Sequence, residues 1–423
     1  MILRAFSFLL LFITALRLHA QPVKTFSETS KAAEAGFSDE RLSRIDDLLK
    51  EHVKLGNIPG AAALIVRNGK IVYYKAFGYS DIEKKSALKK DDIFRIASQS
   101  KAITSLAVMM LWEEGKFLLD EPVSKYIPEF ENPRVLEGFN SEDSTYSTEP
   151  ARREITIRHL LTHSSGIDYA VIGSPEFKAI YAKAAVPSGI GNDRDILADK
   201  MKVLAGMPLK HQPGERWTYG LNSDVLGYLV EIWSGMSFDR FLETRIFEPL
   251  DMKDTFFYLP RNRHNRLVAL HGNNNGKVYK LKSGAYDALD PDYPKLNGTY
   301  FSGGAGLSST VEDYAKFLQL FLNQGSFNGA RLLSRKTVEL MLTDQLPDLS
   351  NEFGLGFGLE TDKNDFRSPS SLGSFSWGGA FSTQYWADPK ENLIGVIYTN
   401  IYNNPYGFIS ETFKVLTYQA IVD

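Results

Sequence analysis

Residues 94–116 read Phe94-Arg-Ile-Ala-Ser-Gln-Ser-Lys-Ala-Ile-Thr-Ser-Leu-Ala-Val-Met-Met-Leu-Trp-Glu-Glu-Gly-Lys116. They follow the charged run 83–92 and predict a helix that is apolar on most of its circumference. A helix of that kind belongs in the middle of a large core. Ser98 and Lys101 stand three residues apart at its first turn, so their side chains fall on one face. A hydroxyl beside an amine at the start of a buried helix indicates an activated serine nucleophile.

The Ser98-x-x-Lys101 pattern is a weak signal by itself, because serine and lysine are common residues. The same pattern occurs at Ser86-Ala-Leu-Lys89, inside a solvated stretch of charged residues. Lys101 differs because it lies within the apolar helix, beside the candidate nucleophile. The pattern is also compatible with a serine that caps the helix and a lysine whose charge reaches back to solvent.

The composition is that of a folded globular protein, with 43% hydrophobic, 23% charged and 12% aromatic residues. A chain of 423 residues has room for one large domain or two ordinary ones. There is no cysteine, which excludes disulfides, a cysteine nucleophile and cysteine metal ligands. Stability must therefore come from the hydrophobic core.

Residues 1–20 are predicted to be a secretory signal peptide, so the protein is expected to be exported, to the periplasm or beyond. Arg4 gives a positive start, residues 5–16 form a short apolar run, and Leu18-His-Ala20 ends in a small residue. A retained membrane anchor is the alternative, but the run is short for a membrane span. Cleavage near Ala20 leaves 46 basic and 51 acidic residues, and this mild acidity predicts no nucleic-acid partner. No later segment is long and apolar enough to cross a bilayer.

Strand-forming sequence lies towards both ends of the chain. Residues 61–67 and 71–77 are β-rich and are joined by Asn68-Gly69, the strongest short signal for a hairpin. A helix is predicted before them, beginning after Ser38. Near the C-terminus, four β-rich runs precede a final helix at about 408–421; the runs are 354–360, 374–377, 382–387 and 393–399.

The middle of the chain is predicted to be helical, with little strand character until near residue 300. Segments 131–153 and 260–300 are polar and are predicted to be long surface loops near an opening. This pattern predicts an α+β fold, in which the two ends of the chain form one antiparallel sheet and a helical insert packs beside it. The site is expected where the insert meets the sheet.

A second candidate motif reads Gln212-Pro-Gly-Glu-Arg-Trp-Thr-Tyr-Gly-Leu-Asn222. Pro213-Gly214 predicts a turn that aims the following residues back over the site. Tyr219 is then a candidate proton carrier if a lysine ammonium lies beside it. Simple packing of the tyrosine is the alternative.

A third candidate motif, Ser376-Trp-Gly-Gly-Ala380, lies on a predicted late strand. Two glycines weaken a strand and usually mark the close approach of a ligand or of another backbone. Main-chain N–H groups there are candidates for an oxyanion hole, which stabilises a negatively charged carbonyl oxygen. A plain β-bulge is the alternative.

Taken in order, these motifs resemble those of the serine β-lactamase-like hydrolases. That family includes class C β-lactamases, D-amino-acid-specific peptidases and the family VIII carboxylesterases. The resemblance covers roughly residues 38–420, and three further stretches carry it: Ile155-Thr-Ile-Arg-His-Leu-Leu-Thr-His-Ser-Ser-Gly-Ile167, Asp224-Val-Leu-Gly-Tyr-Leu-Val-Glu231 and Gly303-Gly-Ala-Gly-Leu-Ser-Ser-Thr310.

The resemblance implies a β-lactamase/transpeptidase-like fold, with an antiparallel sheet flanked by helices and a mainly helical subdomain. Residues 21–423 would be one catalytic domain, with an α/β part at about 38–96 and 307–423 and a helical part at about 97–306. No metal or organic cofactor is implied.

The resemblance also implies roles for the site residues. Ser98 would form an acyl-enzyme, and Lys101 and Tyr219 would share the proton transfers. The N–H groups of Ser98 and Ala380 would form the oxyanion hole. The residues expected to contact the substrate are Trp377, Gly378, Gly379 and Asn222.

Two departures from the lactamase pattern bear on the substrate. Trp377 stands where lactamases have a lysine that helps to hold the substrate carboxylate, and Leu221 stands where they have an asparagine. These changes favour the carboxylesterase branch, with a small ester as substrate and lactams or amides as less favoured ones. A β-lactamase, a D-Ala-D-Ala carboxypeptidase or D-aminopeptidase, and a non-catalytic sensor that binds acyl groups are the alternatives, and the oligomeric state is left open.

Other enzyme classes find little support in the sequence. Gly-x-Ser-x-Gly does not occur, which argues against an α/β-hydrolase. His159 and His163 have a spacing that can hold zinc, but Leu160 stands where a metalloprotease needs glutamate. Both histidines are therefore predicted to serve packing or loop hydrogen bonds. Paired carboxylates such as Glu113-Glu114 lie at helix ends and give no positive support for a glycosidase.

Overall fold

The computed structural model describes residues 23–29, 31–190, 194–284 and 290–423. The predicted signal peptide, residues 1–20, lies outside the described residues. Within them, no helix is both long enough and apolar enough to cross a bilayer.

The helices of the described residues occupy the ends and the middle of the chain. In chain order they are α1 (Asp39–Lys54), α2 (Ser100–Glu113), α3 (Ile157–Leu161), α4 (Pro175–Lys183), α5 (Leu197–Ala205), α6 (Asn222–Ser234), α7 (Phe238–Leu242), α8 (Glu248–Leu250), α9 (Val311–Leu322), α10 (Arg335–Met341) and α11 (Phe408–Gln419).

The strands of the described residues form one large sheet and several small ones. In chain order they are β1 (Ser27–Glu28), β2 (Gly60–Arg67), β3 (Lys70–Asp81), β4 (Ser86–Ala87), β5 (Phe94–Arg95), β6 (Arg134–Phe139), β7 (Tyr146–Pro150), β8 (His271–Asn274), β9 (Lys277–Lys280), β10 (Ser308–Ser309), β11 (Ser326–Phe327), β12 (Ala330–Arg331), β13 (Gly358–Leu359), β14 (Phe375–Gly379), β15 (Thr383–Asp388), β16 (Leu393–Tyr398) and β17 (Ile401–Tyr402).

The large sheet joins the two ends of the chain, as predicted. Its order is β1-β3-β2-β16-β15-β14-β13, with β4 paired to β3. Strand β16 runs antiparallel to β2, with Leu393 opposite Arg67 and Tyr398 opposite Ala62. The sheet is mixed rather than wholly antiparallel, because the short strand β1 pairs with β3 in parallel.

The hairpin at Asn68-Gly69 is confirmed. Arg67 pairs with Lys70 across a two-residue turn, and both turn residues adopt positive φ, 54° at Asn68 and 75° at Gly69. That is the backbone of a turn that matches the twist of the strands, and asparagine and glycine adopt it most readily.

Strand β2 is buried over its whole length, because helices cover both faces of the sheet. Alternate side chains of β2 belong to two different clusters. Ala61, Ala63 and Ile65 pack with residues of α1 and α11. The other set, including Leu64 and Val66, joins the larger cluster that holds α2 and α9. The sheet therefore separates a thin outer layer from the main core.

Helix α2 lies inside that main core, as its apolar circumference predicts. Residues 100–111 are all buried. The α-helix begins at Ser100, two residues later than expected, because a short 3₁₀ turn over Ala97–Gln99 precedes it. Ser98 therefore lies in the entry turn of the helix rather than at its first α-helical position.

Two segments expected to be loops contain strands, so this part of the prediction was wrong. Strands β6 and β7 form a hairpin within 131–153, and β8 and β9 form one within 260–300, paired with β17. The side chains of β6 and β7 are mostly exposed on both faces, so their sequence lacks the apolar alternation that marks a strand. Conversely, only Gly358–Leu359 is a strand within the predicted run 354–360.

Strand β14 approaches the start of helix α2 very closely at Gly379. A Cβ atom on Gly379 would lie 2.3 Å from the Ile96 carbonyl oxygen and 2.3 Å from Thr383 Oγ1. Both distances are far below van der Waals contact, so only glycine allows this approach. The Thr383 hydroxyl also donates to the Ile96 carbonyl oxygen, at 3.3 Å. The contact fixes the position of the turn that carries Ser98.

We therefore expect Gly379→Ala to destabilise the protein by ~1–3 kcal/mol, as overpacking of a dense contact does. Denaturant unfolding measures the loss. Gly407→Ala is the matched control, because nothing lies within 4 Å of its Cβ position and its φ of −55° suits alanine. Equal stability of Gly379→Ala and the control would contradict the close contact.

Candidate active site

Ser98 lies on the entry turn of α2 and is the one residue of 92–111 that is not buried. The preceding residue, Ala97, has a φ of 44°, a left-handed conformation that is uncommon for alanine. Its neighbours hold it there: the Ser100 hydroxyl donates to the Ala97 carbonyl oxygen at 2.7 Å, and the Ile96 N–H donates to the Leu307 carbonyl oxygen at 3.1 Å. The strained turn presents the Ser98 hydroxyl at the edge of the core.

Lys101 lies directly behind Ser98 and is 3% exposed. Its Nζ donates to Ser98 Oγ at 3.3 Å, to Tyr169 Oη at 2.8 Å and to the Gly304 carbonyl oxygen at 2.7 Å. The two shorter bonds use two N–H donors of Nζ, and the remaining position of the nitrogen is directed at Ser98 Oγ, where it can hold or accept a proton. The predicted pairing of Ser98 with Lys101 is thus present in the structure, with the longest of the three contacts directed to the serine.

The Gly303-Gly-Ala-Gly306 segment wraps around the first turns of α2. The Thr104 hydroxyl donates to the Gly303 carbonyl oxygen at 2.7 Å, and the Leu307 N–H donates to Ser100 Oγ at 3.1 Å. A Cβ on Gly303 would lie 2.2 Å from the Ser223 carbonyl oxygen. The polar side chains of a buried helix thereby find partners in a glycine segment that can approach closely enough to meet them.

Tyr219 lies beside Lys101, but its ring rather than its hydroxyl faces the ammonium. Lys101 Nζ is 4.6 Å from the centroid of the Tyr219 ring, which is the geometry of a cation–π contact. The Tyr219 hydroxyl accepts a long hydrogen bond of 3.5 Å from Trp377 Nε1. The phenol that bonds Lys101 is Tyr169, which the sequence analysis did not identify, although it lies two residues beyond the stretch 155–167.

The Trp377-Gly378-Gly379 segment belongs to strand β14 and pairs regularly with β15, from Phe375 opposite Ala387 to Gly379 opposite Thr383. The alternative of a plain β-bulge is therefore not what the structure contains. Ala380 is exposed and opens the turn that follows. Because Gly379 lies against Ile96, this turn is at the same end of the sheet as Ser98. An oxyanion hole made by the N–H groups of Ser98 and Ala380 stays a prediction.

Asn222 was expected to bind substrate, but its side chain is fully buried. Its Nδ2 lies 2.9 Å from His163 Nδ1, and its Oδ1 accepts from Ser165 Oγ at 2.5 Å. Asn222 begins helix α6, which turns its side chain towards the core. Asn222 therefore bonds the ring of His163, and that ring lies 5.0 Å from the ring of Tyr219.

Both histidines of the candidate zinc pair have structural roles, as predicted. His159 Nδ1 accepts from the Thr156 N–H at 3.1 Å and so caps helix α3. Burial, with a smaller contribution from the Lys101 charge, holds the pKa of His163 well below its usual value, so that ring stays neutral. Across the described ranges, no three or more His, Asp or Glu side chains are grouped as a metal site requires.

Four aromatic side chains form a wall beside Ser98 and Lys101. Trp217 stacks on Tyr219 at 5.8 Å between ring centroids, and Trp377 lies 5.7 Å from Tyr219 and 5.3 Å from Phe353. Trp217, Tyr219 and Trp377 are partly exposed. This aromatic wall gives the surface beside Lys101 an apolar character.

The beta-lactamase family model matches residues 45–418. Protein Rv1367c of Mycobacterium tuberculosis is 32% identical over 362 residues, which cover 82% of this chain and 86% of that protein. Esterase EstB of Burkholderia gladioli is 27% identical over 383 residues, 85% of this chain and 90% of the relative. The solved structure of EstCE1, described as a hydrolase with promiscuous acyltransferase activity, has a TM-score of 0.77 at 25% identity and covers 90% of this chain and 99% of its own. The fold is thus that of the β-lactamase/transpeptidase-like proteins.

We expect a fluorophosphonate probe to label Ser98, because the partly exposed hydroxyl lies beside the Lys101 amine. Peptide mass spectrometry after digestion locates the modified residue. Ser100, which is buried and bonded to the Ala97 carbonyl, is the internal control and should stay unmodified. Lys101→Met should slow labelling by ~100-fold, the size of one general-base contribution. Labelling at a different serine would contradict the assignment.

Proposed function

The chain belongs to the beta-lactamase family, and on that basis we propose that it is a serine hydrolase that cleaves small carboxylic esters through an acyl-enzyme on Ser98. The observation that carries the proposal is the contact between Lys101 Nζ and Ser98 Oγ, with the other Nζ contacts anchored to Tyr169 and Gly304. A lysine held in this way cannot swing out to solvent, so it stays within reach of the nucleophile.

The first half-reaction joins Ser98 to the substrate. Ser98 Oγ attacks the ester carbonyl carbon while its proton passes to Lys101 Nζ, and the carbonyl electrons move to the oxygen. The N–H groups of Ser98 and Ala380 stabilise that oxyanion. Collapse of the tetrahedral intermediate breaks the bond to the alcohol, which takes its proton from Lys101. A relay through the Tyr219 hydroxyl stays a prediction, because the ring of Tyr219 rather than its hydroxyl faces Lys101.

The second half-reaction releases the acid. Water attacks the acyl carbonyl, gives its proton to Lys101, and Ser98 Oγ leaves with a proton returned from the same amine. The aromatic wall beside the acyl group restricts the entry of bulk water and favours an apolar acyl or alcohol group.

Two features favour esters over lactams. Trp377 supplies an indole where lactamases have a lysine for the substrate carboxylate, and Asn222 is buried too deeply to reach a lactam amide. The named activity of EstB, an esterase, agrees with this preference. We therefore place lactams and D-amino-acid amides below esters as substrates.

Acyl transfer to an alcohol is a second candidate activity. An alcohol and water attack the same acyl carbonyl, so the acyl-enzyme of Ser98 can pass its acyl group to either. The similarity to EstCE1, with its promiscuous acyltransferase activity, favours this possibility. A wall that is apolar would bind an alcohol in preference to water.

A single substrate panel tests the proposal on protein lacking residues 1–20. We expect multiple turnovers of short-chain p-nitrophenyl esters, weak turnover of benzylpenicillin, cephalosporins and D-amino-acid amides, and a new ester when an alcohol is added. The turnover rate of Ser98→Ala should be at least ~10⁴-fold lower, because loss of a nucleophilic serine also makes the groups that act with it ineffective. Ser86→Ala, in the exposed second Ser-x-x-Lys pattern, is the matched control and should keep full activity.

Three outcomes would overturn parts of this proposal. Wild-type activity in Ser98→Ala would overturn the nucleophile, and rapid lactam turnover with negligible esterase activity would overturn the substrate class. Release of one equivalent of alcohol followed by no further turnover would identify a sensor that binds acyl groups.

We also propose that residues 1–20 direct export and that residues 21–423 form one catalytic domain. Expression of the full chain in a Gram-negative host should give periplasmic or secreted protein. Its measured mass should correspond to a chain that begins near Gln21. The chain lacking residues 1–20 is the control and should remain in the cytoplasm. Full-length, uncleaved protein in the membrane fraction would favour the anchor instead.

A further inference from the structure

A buried carboxylate lies behind Lys101, on a helix that the proposed reaction does not otherwise use. Asp224 is the third residue of α6 and is fully buried. Its Oδ1 accepts from the Tyr300 hydroxyl at 3.2 Å, and the Ser302 hydroxyl and the Gly304 N–H also lie close enough to the carboxylate to lower its pKa. A charge in this position destabilises a fold unless something nearby benefits from it.

The space beside Gly304 shows which group benefits. A Cβ placed on Gly304 would lie 2.7 Å from Asp224 Oδ2, 3.4 Å from Lys101 Nζ and 3.5 Å from Tyr169 Oη. The three polar groups therefore converge on one small region, and Asp224 Oδ2 lies within about 6 Å of Lys101 Nζ. Glycine keeps this region open, since any larger residue at 304 would fill it.

We propose that Asp224 is a positioning residue whose negative charge holds Lys101 in place and stabilises its ammonium form when Lys101 takes the proton of Ser98. The proposal rests on the function proposed above. When the proton moves from Ser98 Oγ to Lys101 Nζ, a positive charge appears on a buried atom. The negative charge of the Asp224 carboxylate stabilises this positive charge. The protein interior has a low dielectric constant, so the attraction acts over several ångströms.

The charged and titratable groups around Asp224 are few. Lys101 faces it from α2, Tyr169 from the segment after α3, and Tyr300 from the segment before Gly304. Asp195 lies beyond Tyr300 and acts on that phenol. Of these groups, Lys101 is the cation, so Asp224 and Lys101 form the charge pair of the cluster.

Asp224 titrates within an accessible pH range. Burial raises the pKa of Asp224 to about 6, while hydrogen bonds from Ser302 and Tyr300 and the charge of Lys101 oppose that rise. The carboxylate is therefore ionised at pH 8 and protonated at pH 5. Because its folded pKa exceeds the unfolded value of 3.8, the ionised side chain destabilises the fold at pH 8, and stability is gained as the pH falls through 6.

The test compares the wild type with Asp224→Asn, which keeps the shape and the hydrogen bond from Tyr300 but removes the charge. We expect kcat for a p-nitrophenyl ester to fall ~10–100-fold, less than the ~10²–10³-fold lost with a donor that touches the oxyanion, because Asp224 acts through Lys101. KM should stay within about twofold, since Asp224 is too deep to touch substrate. Tm at pH 8 should rise, and the difference from wild type should shrink towards pH 5.

Asp92→Asn is the matched control. Asp92 is also buried, accepts from the Lys89 N–H at 2.8 Å, and has a pKa that burial raises to about 6. Its substitution should raise Tm at pH 8 in the same way and leave kcat unchanged. Both variants should thus report the removal of a buried charge through Tm. A loss of kcat in Asp224→Asn alone would show that the charge of Asp224 acts on Lys101.

The pH dependence of kcat distinguishes the two roles. If Asp224 only stabilised the fold, its substitution would leave the pH profile of kcat unchanged. Wild type should lose kcat as the pH falls through about 6, and Asp224→Asn should lack that decline. Tyr300→Phe removes a hydrogen bond that lowers the pKa of Asp224. As the pH falls, kcat of this variant should therefore begin to decline at a higher pH than kcat of the wild type. This variant keeps the test open even if Asp224→Asn does not fold.

Wild-type kcat and an unchanged pH profile in Asp224→Asn, or an unshifted decline in Tyr300→Phe, would overturn the proposal. The fluorophosphonate probe distinguishes this failure from failure of the proposed function. If Ser98 is labelled and Ser98→Ala is inactive while Asp224→Asn is fully active, only the role of Asp224 is wrong. If Ser98→Ala turns over esters, the proposed function itself is wrong.

Discussion

The contact between the end of strand β14 and the entry turn of helix α2 is the constraint on which the site depends. Gly379 lies against the Ile96 carbonyl so closely that a single methyl group would separate them. The contact sets the distance between the turn that carries Ser98 and the turn that begins at Ala380. The strained φ of Ala97 persists because both neighbours of the turn hold it. The sheet therefore helps to position Ser98, the proposed nucleophile, in the turn that leads into helix α2.

The polar groups of α2 that are buried form hydrogen bonds with main-chain groups rather than with solvent. Lys101, Thr104 and Ser100 each bond the segment from Gly303 to Leu307, and that segment can approach because its glycines lack side chains. A helix that is apolar nearly all round thus carries one polar stripe, and the stripe faces the site. The arrangement fixes the lysine in one position while leaving the serine partly exposed.

The sequence was sufficient where local spacing determines geometry and insufficient where distant residues meet. Ser98 and Lys101 follow from a spacing of three, and the hairpin follows from Asn68-Gly69. Tyr169 could not be inferred, because its bond to Lys101 joins residues 68 positions apart. Asn222 was expected to contact substrate but is buried, because the sequence does not show whether a residue that begins a helix faces the core or the site. The hairpin of β6 and β7 was missed because its apolar residues do not alternate regularly with polar ones.

Three of the four rings of the aromatic wall come from other parts of the chain than Ser98 and Lys101, and this separation bears on how such a protein diversifies. Trp217, Phe353 and Trp377 stand on two connecting segments and one strand, whereas Lys101 is anchored on helix α2. None of these three rings hydrogen-bonds Lys101 among the described residues. Substitutions of these three rings therefore change the apolar surface of the site while leaving the contacts of Lys101 in place. For the proposed hydrolase, the substrate range can thus change one ring at a time while the contact between Ser98 and Lys101 is kept.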